Sequence, residues 1–216
     1  MALIGHLLGR GIFPPRYAWF LEGWWRSLVL SPERLAKRLP LSARLAALEI
    51  GAGGGYYAHP LSQKVGRLIA LDIQADMLRR LRQKPAVPGL LPVRGDAGRL
   101  PLADCSLDLV LAVTVLGEVP SAGATIAEVR RVLRPGGTFS VSEHLPDPDF
   151  LRFEQVRAAI AQIGPADHVC ALYDQRDEEV AIAAKETKVR GKRLACHARS
   201  SESVKQAMRH LSLIHI

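Results

Sequence analysis

The chain has 216 residues, of which 48% are hydrophobic and 6% are aromatic, so one α/β domain with a sizeable core and part of a second are expected. The net charge is +8, but residues 49–151 hold eleven acidic and eleven basic residues, which argues against a nucleic-acid substrate. Three widely spaced cysteines, Cys105, Cys170 and Cys196, favour a reducing cytoplasm and predict neither a disulfide framework nor a metal site.

Residues 1–40 are assigned to one N-terminal segment, of which residues 1–30 are apolar and rich in aromatic side chains. Charged residues interrupt this segment before any run reaches the ~20 apolar residues that a membrane span requires. We expect a helical lid that packs on the following domain. An interfacial helix that contacts a membrane surface through arginine and tryptophan side chains is the less favoured alternative. Near the end of the segment, Ser31, Pro32 and Glu33 read as the N-cap and first turn of a helix that ends near Leu39.

Strands and helices then alternate along the chain. This alternation indicates a mainly parallel sheet with right-handed crossovers and helices on both faces. In such a sheet, ligands bind at the carboxyl ends of the strands. The pattern predicts strands at 44–50, 67–72, 90–94, 107–115 and 138–143, helices at 74–83, 125–133 and 151–163, and a turn at 134–137.

A glycine-rich stretch follows the first strand. Gly51, Gly53 and Gly55 alternate, Ala52 separates the first two, and Glu49 lies two residues ahead of them. Glycine is required where the backbone has positive φ or approaches a ligand closely. The usual dinucleotide pattern is G-x-G-x-x-G, and a carboxylate ahead of it would repel a pyrophosphate. S-adenosylmethionine carries an ammonium and a sulfonium and no phosphate, so the acid favours this cofactor.

Further candidate residues lie at the ends of the later strands. Asp72 follows Glu49 by 23 residues, near the offset at which an acid accepts from both ribose hydroxyls. Ile73 comes next and is included in the predicted site. Asp96 can accept from the exocyclic amine of adenine, and Ala97 offers its backbone amide without bulk. Thr114, near the end of the fourth strand, completes the predicted cofactor site.

The motifs form an ordered set that resembles class I S-adenosylmethionine-dependent methyltransferases of the type 11 group. The resemblance implies a Rossmann-like fold, methyl transfer from the sulfonium to a nucleophile, and cofactor contacts at Glu49, Gly51, Gly53, Asp72, Asp96 and Ala97. We assign residues 41–163 to this domain. The motifs that carry the resemblance are 48–55, Leu71-Asp72, Gly95-Asp96-Ala97, Leu100-Pro101-Leu102, 106–110 and 132–137.

No catalytic residue is predicted. The sulfonium is an activated leaving group, so alignment of the reactants in a dry pocket would supply most of the rate. A general base would matter for a hydroxyl or carbon-acid acceptor. Glu118, Glu143 and His144 are placed to face the acceptor, and each could equally be a solvated residue at a strand end.

Beyond residue 163 the sequence departs from the family, whose sheet continues with an antiparallel pair of strands. The C-terminal strands are therefore expected to be altered or truncated. Residues 164–210 resemble part of a bacterial sensory domain known from methanogens and methylotrophs; a hairpin within 185–199 that replaces the missing strands is the alternative. Residues 211–216 match a back-translated transposon end used in sequencing libraries, so we expect an artefact and a longer natural protein.

These observations predict a cytoplasmic S-adenosylmethionine-dependent methyltransferase with a small-molecule acceptor and no nucleic-acid partner. Two alternatives stay open. One is a non-catalytic sensor that binds the cofactor and couples it to a signalling segment. The other is a nicotinamide-dependent enzyme built on the same sheet, which would bind a cofactor that carries phosphate.

Overall fold

The computed structural model describes residues 30–143, 155, 156, 158 and 168–173. Strands and helices alternate in these residues, as the sequence predicts. The helices are α1 (Pro32–Ala36), α2 (Ala58–Ser62), α3 (Ala75–Gln83) and α4 (Ala122–Val132). The strands are β1 (Ala46–Ile50), β2 (Arg67–Asp72), β3 (Leu90–Arg94), β4 (Leu107–Val113), β5 (Leu133–Glu143) and β6 (His168–Tyr173).

The strands form one sheet in the order β3-β2-β1-β4-β5-β6, and every pair of neighbours is parallel. The chain runs outwards from β1 to β3 and then crosses to the other side of β1, where β4 pairs. The switch point therefore lies between β1 and β4, and ligands are expected at the carboxyl ends of these strands. The predicted Rossmann-like sheet is confirmed.

Alternate residues of β1 face two different cores. Leu48 and Ile50 pack with Ile126 and Val129 of α4 on one face. Ala47 lies on the other face, in the core that the first three helices cover. All five residues of the strand are buried, as in a parallel strand covered on both faces. Because successive side chains of a strand alternate, Glu49 points to the same face as Ala47.

Several element boundaries differ from the predicted ones: β1 begins at Ala46 and α1 ends at Ala36, and three further differences have a visible cause. Strand β4 ends at Val113, because Thr114 has a φ of 52° and leaves the extended conformation. Helix α4 begins at Ala122, three residues early, because the Ser121 hydroxyl accepts from the amide of Ala124 and caps it. Strand β5 begins at Leu133 and pairs with β4 on both sides of residues 134–137, so the predicted turn is an irregularity inside the strand.

At the far edge of the sheet, β6 pairs in parallel with β5 over residues 138–143. It extends the sheet beyond residue 163, where the sequence suggested that the domain ends. Residues 155, 156 and 158 are helical, and Val156 is fully buried in the core on the α4 side. The predicted hairpin within 185–199, residues 211–216, His144 and the lid before Leu30 lie outside the described residues. The assignments of residues 1–40, 164–210 and 211–216 stay predictions.

None of the helices in the described ranges is long and apolar enough to cross a bilayer.

Helix α1 is stabilised by its N-cap and by the burial of one leucine. The Ser31 hydroxyl accepts from the amide of Arg34 at 3.2 Å, which is the cap that the sequence predicts. Leu35 is fully buried in the core that the first three helices share, so packing rather than length stabilises this helix of five residues.

Arg131 of α4 holds the loop that precedes β4. Its guanidinium donates to both carboxylate oxygens of Glu128 at 2.8 Å and to Asp104 at 2.6 Å. It also donates to the carbonyls of Leu102 at 2.8 Å and Leu100 at 3.0 Å. The amide of Leu100 donates to Glu128 at 2.7 Å, which closes the network. These hydrogen bonds from Arg131 are the main reason why the pKa of Glu128 lies below its ordinary value of 4.5.

We predict that Arg131→Lys lowers the urea midpoint of unfolding, because one ammonium cannot replace a planar fork of donors shared among four groups. The loss should shrink as the pH falls below 4.5, since a carboxylate with a lowered pKa stabilises the fold only while it is ionised. The exposed Arg130 provides the control, and Arg130→Lys should leave the midpoint unchanged. Equal midpoints for wild type and Arg131→Lys would contradict the role of the network.

Candidate cofactor site

The predicted site residues on the first three strands lie along one edge of the sheet. In the register, Ile50 pairs with Leu71, and Asp72 pairs with Arg94. Two further backbone bonds join the loops beyond these ends: Ala52 N–H donates to Leu71 O at 3.0 Å, and Gly95 N–H donates to Asp72 O at 3.1 Å. The acids at positions 49, 72 and 96 therefore lie at the carboxyl ends of three neighbouring strands.

The three glycines of the loop after β1 have different structural roles, although all have positive φ (68°, 53° and 80°). A Cβ on Gly51 would overlap the side chain of Val115, and one on Gly55 would overlap Leu81. A Cβ on Gly53 would meet no atom of the described residues within 4 Å. The outer glycines are therefore required by packing, whereas the middle one borders an open space.

Ala52 lies between the first two glycines and is buried. Besides donating to Leu71, it accepts from the amide of Gly55 at 2.8 Å. Both of its backbone groups are thus engaged in the shape of the loop, a role that its place in the glycine motif did not reveal.

Asp72 connects the glycine loop to the end of β2. One carboxylate oxygen accepts from the amide of Gly53, and the other accepts from the amide of Gln74, each at 2.8 Å. Asp72 is 7% exposed. Each carboxylate oxygen has two lone-pair sites, so each can still accept from one hydroxyl group. The sequence suggested only the contact with a ligand and missed this link to the loop.

Burial raises the pKa of Asp72 above its ordinary value of 3.8, and the amides of Gln74 and Gly53 oppose that rise. The carboxylate is therefore costly to keep charged in this position. Additional donors, such as the two hydroxyls of a ribose, would favour the ionised form further.

The end of β3 presents an acid beside an apolar surface. Asp96 is exposed, and its Oδ1 accepts from the amide of Gly98 at 2.8 Å. Ala97 is buried. Ile73 is 43% exposed although it is apolar, and its carbonyl accepts from Arg94 Nε at 3.1 Å. A purine needs an apolar surface for its face and an acceptor for its amine, so these residues fit an adenine.

Glu49 is 2% exposed and lies one residue before the end of β1. A carboxylate buried to this extent, ahead of a loop with positive φ, would disfavour an anionic ligand and favour a cationic one. The negatively charged carboxylates at this edge of the sheet therefore suit the ammonium and sulfonium of S-adenosylmethionine better than a pyrophosphate.

The ends of β4 and β5 meet on the other side of the switch point. Thr114 has positive φ, which is strained for a β-branched residue, and its amide donates to Ser142 O at 2.7 Å. Glu143 is 1% exposed, and its Oε1 accepts from the amide of Leu116 at 3.2 Å. Glu118 is half-buried in the loop after β4. Of the two residues in the described ranges that could face the acceptor, Glu143 is therefore engaged with the protein's own backbone and is not solvated.

Comparison with known proteins agrees with this geometry. Residues 48–141 match the family described as a methyltransferase domain. The fold is shared with an S-adenosylmethionine-dependent methyltransferase from Aquifex aeolicus, with a TM-score of 0.66 at 21% identity over 71% of this chain and 89% of that one. The predicted class I fold is thus confirmed, and the methyltransferase match agrees with S-adenosylmethionine as the cofactor that the sequence predicts.

Two curated relatives are methyltransferases with different acceptors. Malonyl-[acyl-carrier protein] O-methyltransferase of Methylococcus capsulatus is 34% identical over 70% of this chain and 54% of its own length. Phthiotriol/phenolphthiotriol dimycocerosates methyltransferase of Mycobacterium tuberculosis is 34% identical over 58% of this chain and 47% of its own length. The match to this chain thus spans about half the length of each relative.

The two roles of the loop glycines can be separated by a matched pair of alanine variants. Gly53→Ala should lose about 1–2 kcal/mol of unfolding free energy, because alanine is strained at positive φ, and should weaken binding of S-adenosylhomocysteine because its methyl group enters the open space. Gly51→Ala should be less stable than Gly53→Ala, because it also overlaps Val115. Calorimetric titration and urea unfolding measure both effects. Wild-type affinity in Gly53→Ala would exclude the open space from the cofactor site.

Proposed function

We propose that this protein transfers a methyl group from S-adenosylmethionine to a small-molecule acceptor. The observation that carries the proposal is the double engagement of Asp72. It fixes the glycine loop through Gly53 and keeps one acceptor position on each oxygen for the ribose hydroxyls. The hydrogen bond between the Gly53 amide and Asp72 explains why a glycine loop after β1 occurs together with an acid at the end of β2.

The residues that would hold the cofactor divide into three groups along the edge. Asp72 would accept from the ribose, Asp96 and the exposed Ile73 would hold the adenine, and the open side of Gly53 would let the ligand approach the backbone. Glu49 would stabilise the positive charge, and Thr114 would border the reacting end.

When bound, S-adenosylmethionine supplies an activated methyl group. The protein has to align the acceptor with that methyl group and exclude water, because the leaving group needs no further activation. A fixed backbone would align the acceptor. The backbone amides of Thr114 and Leu116, in the loop after β4, donate hydrogen bonds to residues at the end of β5. A rigid edge of this kind is what alignment of two reactants requires.

The relatives' names support an acceptor group of small-molecule size, because one specifies the malonyl group of an acyl-carrier protein and the other specifies phthiotriol/phenolphthiotriol dimycocerosates. The neutral charge balance of residues 49–151 is consistent with an acceptor other than nucleic acid. We also propose that the protein works in the cytoplasm, which the free and exposed thiol of Cys105 supports.

The proposed cofactor is tested by titrating the purified chain with S-adenosylhomocysteine and, in parallel, with NADH. We expect saturable binding of S-adenosylhomocysteine and none of NADH, because buried and strand-end carboxylates disfavour a pyrophosphate. Tight binding of NADH alone would overturn the proposal. Incubation with methyl-labelled cofactor and small-molecule extracts then separates an enzyme from a sensor: labelled product supports the enzyme, and binding without any label transfer supports the sensor.

Asp72→Ala should weaken binding of S-adenosylhomocysteine by about 1–3 kcal/mol, because charge-assisted hydrogen bonds to the ribose are lost. Asp76→Ala is the matched control. Asp76 lies on α3 and pairs with Arg79 in an exposed salt bridge, so its removal changes the charge equally without touching the loop. Calorimetric titration of both variants should show weaker binding only for Asp72→Ala. Equal affinities in the two variants would refute the assignment of the ribose site.

A further inference from the structure

Two hydrogen bonds hold the loop after β4 to the end of β5. The amide of Thr114 donates to the carbonyl of Ser142 at 2.7 Å, and the amide of Leu116 donates to Glu143 Oε1 at 3.2 Å. The first bond joins two backbones and does not depend on side-chain identity. The second needs an acceptor at position 143, and both Glu143 and Leu116 are almost fully buried.

The residue between these two amides contacts the glycine loop. Val115 lies directly over Gly51, where a Cβ on the glycine would come within 3.1 Å of Val115 Cγ1. Val115 is itself buried. Any movement of the backbone at Leu116 would therefore move the side chain that shapes the first turn of the cofactor loop.

We propose that Glu143 is a positioning residue for the cofactor site, acting through Leu116, Val115 and Gly51. This inference rests on the proposed function, because it assigns a consequence for cofactor binding. It differs from both readings that the sequence left open for Glu143, which were a residue that faces the acceptor and a solvated residue at a strand end. A carboxylate that is 1% exposed and accepts from a buried backbone amide has a partner within the fold. Removing that carboxylate would leave the amide of Leu116 unsatisfied.

The role of acceptor can be separated from the role of base by two substitutions. Glutamine keeps a carbonyl oxygen that accepts from Leu116, but it cannot take up a proton as a base. Leucine has a similar volume and offers no acceptor. Glu143→Gln should therefore bind S-adenosylhomocysteine with an affinity within about threefold of wild type, whereas Glu143→Leu should bind about tenfold more weakly.

A double-mutant cycle tests the path through Val115. Val115→Ala should weaken binding while leaving the bond between Leu116 and Glu143 in place. If the two residues act in one chain of contacts, Glu143→Leu combined with Val115→Ala should weaken binding less than the sum of the single effects. Val115→Ala also keeps the test valid if Glu143→Leu does not fold. Wild-type affinity in Val115→Ala would overturn the proposal.

The measurements are calorimetric titration with S-adenosylhomocysteine and hydrogen exchange of the Leu116 amide in the full chain. Faster exchange in Glu143→Leu but not in Glu143→Gln, together with weaker binding only in Glu143→Leu, supports the proposal. Equal weakening in both variants, or wild-type affinity in Glu143→Leu, overturns it. If the wild-type chain binds no S-adenosylhomocysteine, both the proposed function and this role at the cofactor site fail. If the wild-type chain binds and Glu143→Leu binds equally well, only the positioning role fails.

Discussion

The proposed cofactor site depends on the hydrogen bond between the Asp72 carboxylate and the amide of Gly53. This bond crosses from β2 to the loop after β1, so it fixes the loop relative to the neighbouring strand. It also explains why an acid is needed even before a ligand arrives, since the amide would otherwise be left without this acceptor. Because burial raises the pKa of Asp72, keeping this carboxylate ionised lowers the stability of the fold, which is common at functional sites.

Around that bond, the strand order gives the edge two halves. One half, at the ends of β1, β2 and β3, carries acids and the exposed Ile73; the other, at the ends of β4 and β5, carries the strained Thr114 and the buried Glu143. Val115 joins the halves by packing on Gly51. A cofactor on the first half and an acceptor near the second would thus share one rigid border, which suits a reaction whose main requirement is alignment.

The names of the two relatives specify malonyl-[acyl-carrier protein] and phthiotriol/phenolphthiotriol dimycocerosates, and their similarity to this chain lies in about half of their length. The methyltransferase-domain match covers residues 48–141 and includes the carboxyl ends of β1, β2, β3 and β4. A shared fold is therefore compatible with different acceptors, because function depends on the residues of the site and not on the fold alone.

The sequence alone determined the strands at 67–72 and 90–94, the cap at Ser31 and the alternation that predicts a parallel sheet, because these depend on local hydrophobic pattern and on neighbouring residues. It also identified strand-end acids as candidate ligands. Only the tertiary structure showed that Asp72 braces the loop, that Gly51 and Gly53 differ in purpose, and that Glu143 accepts from Leu116. Each of these contacts joins residues 19 to 64 positions apart, so its geometry arises from packing between elements and leaves no periodic signal in the chain.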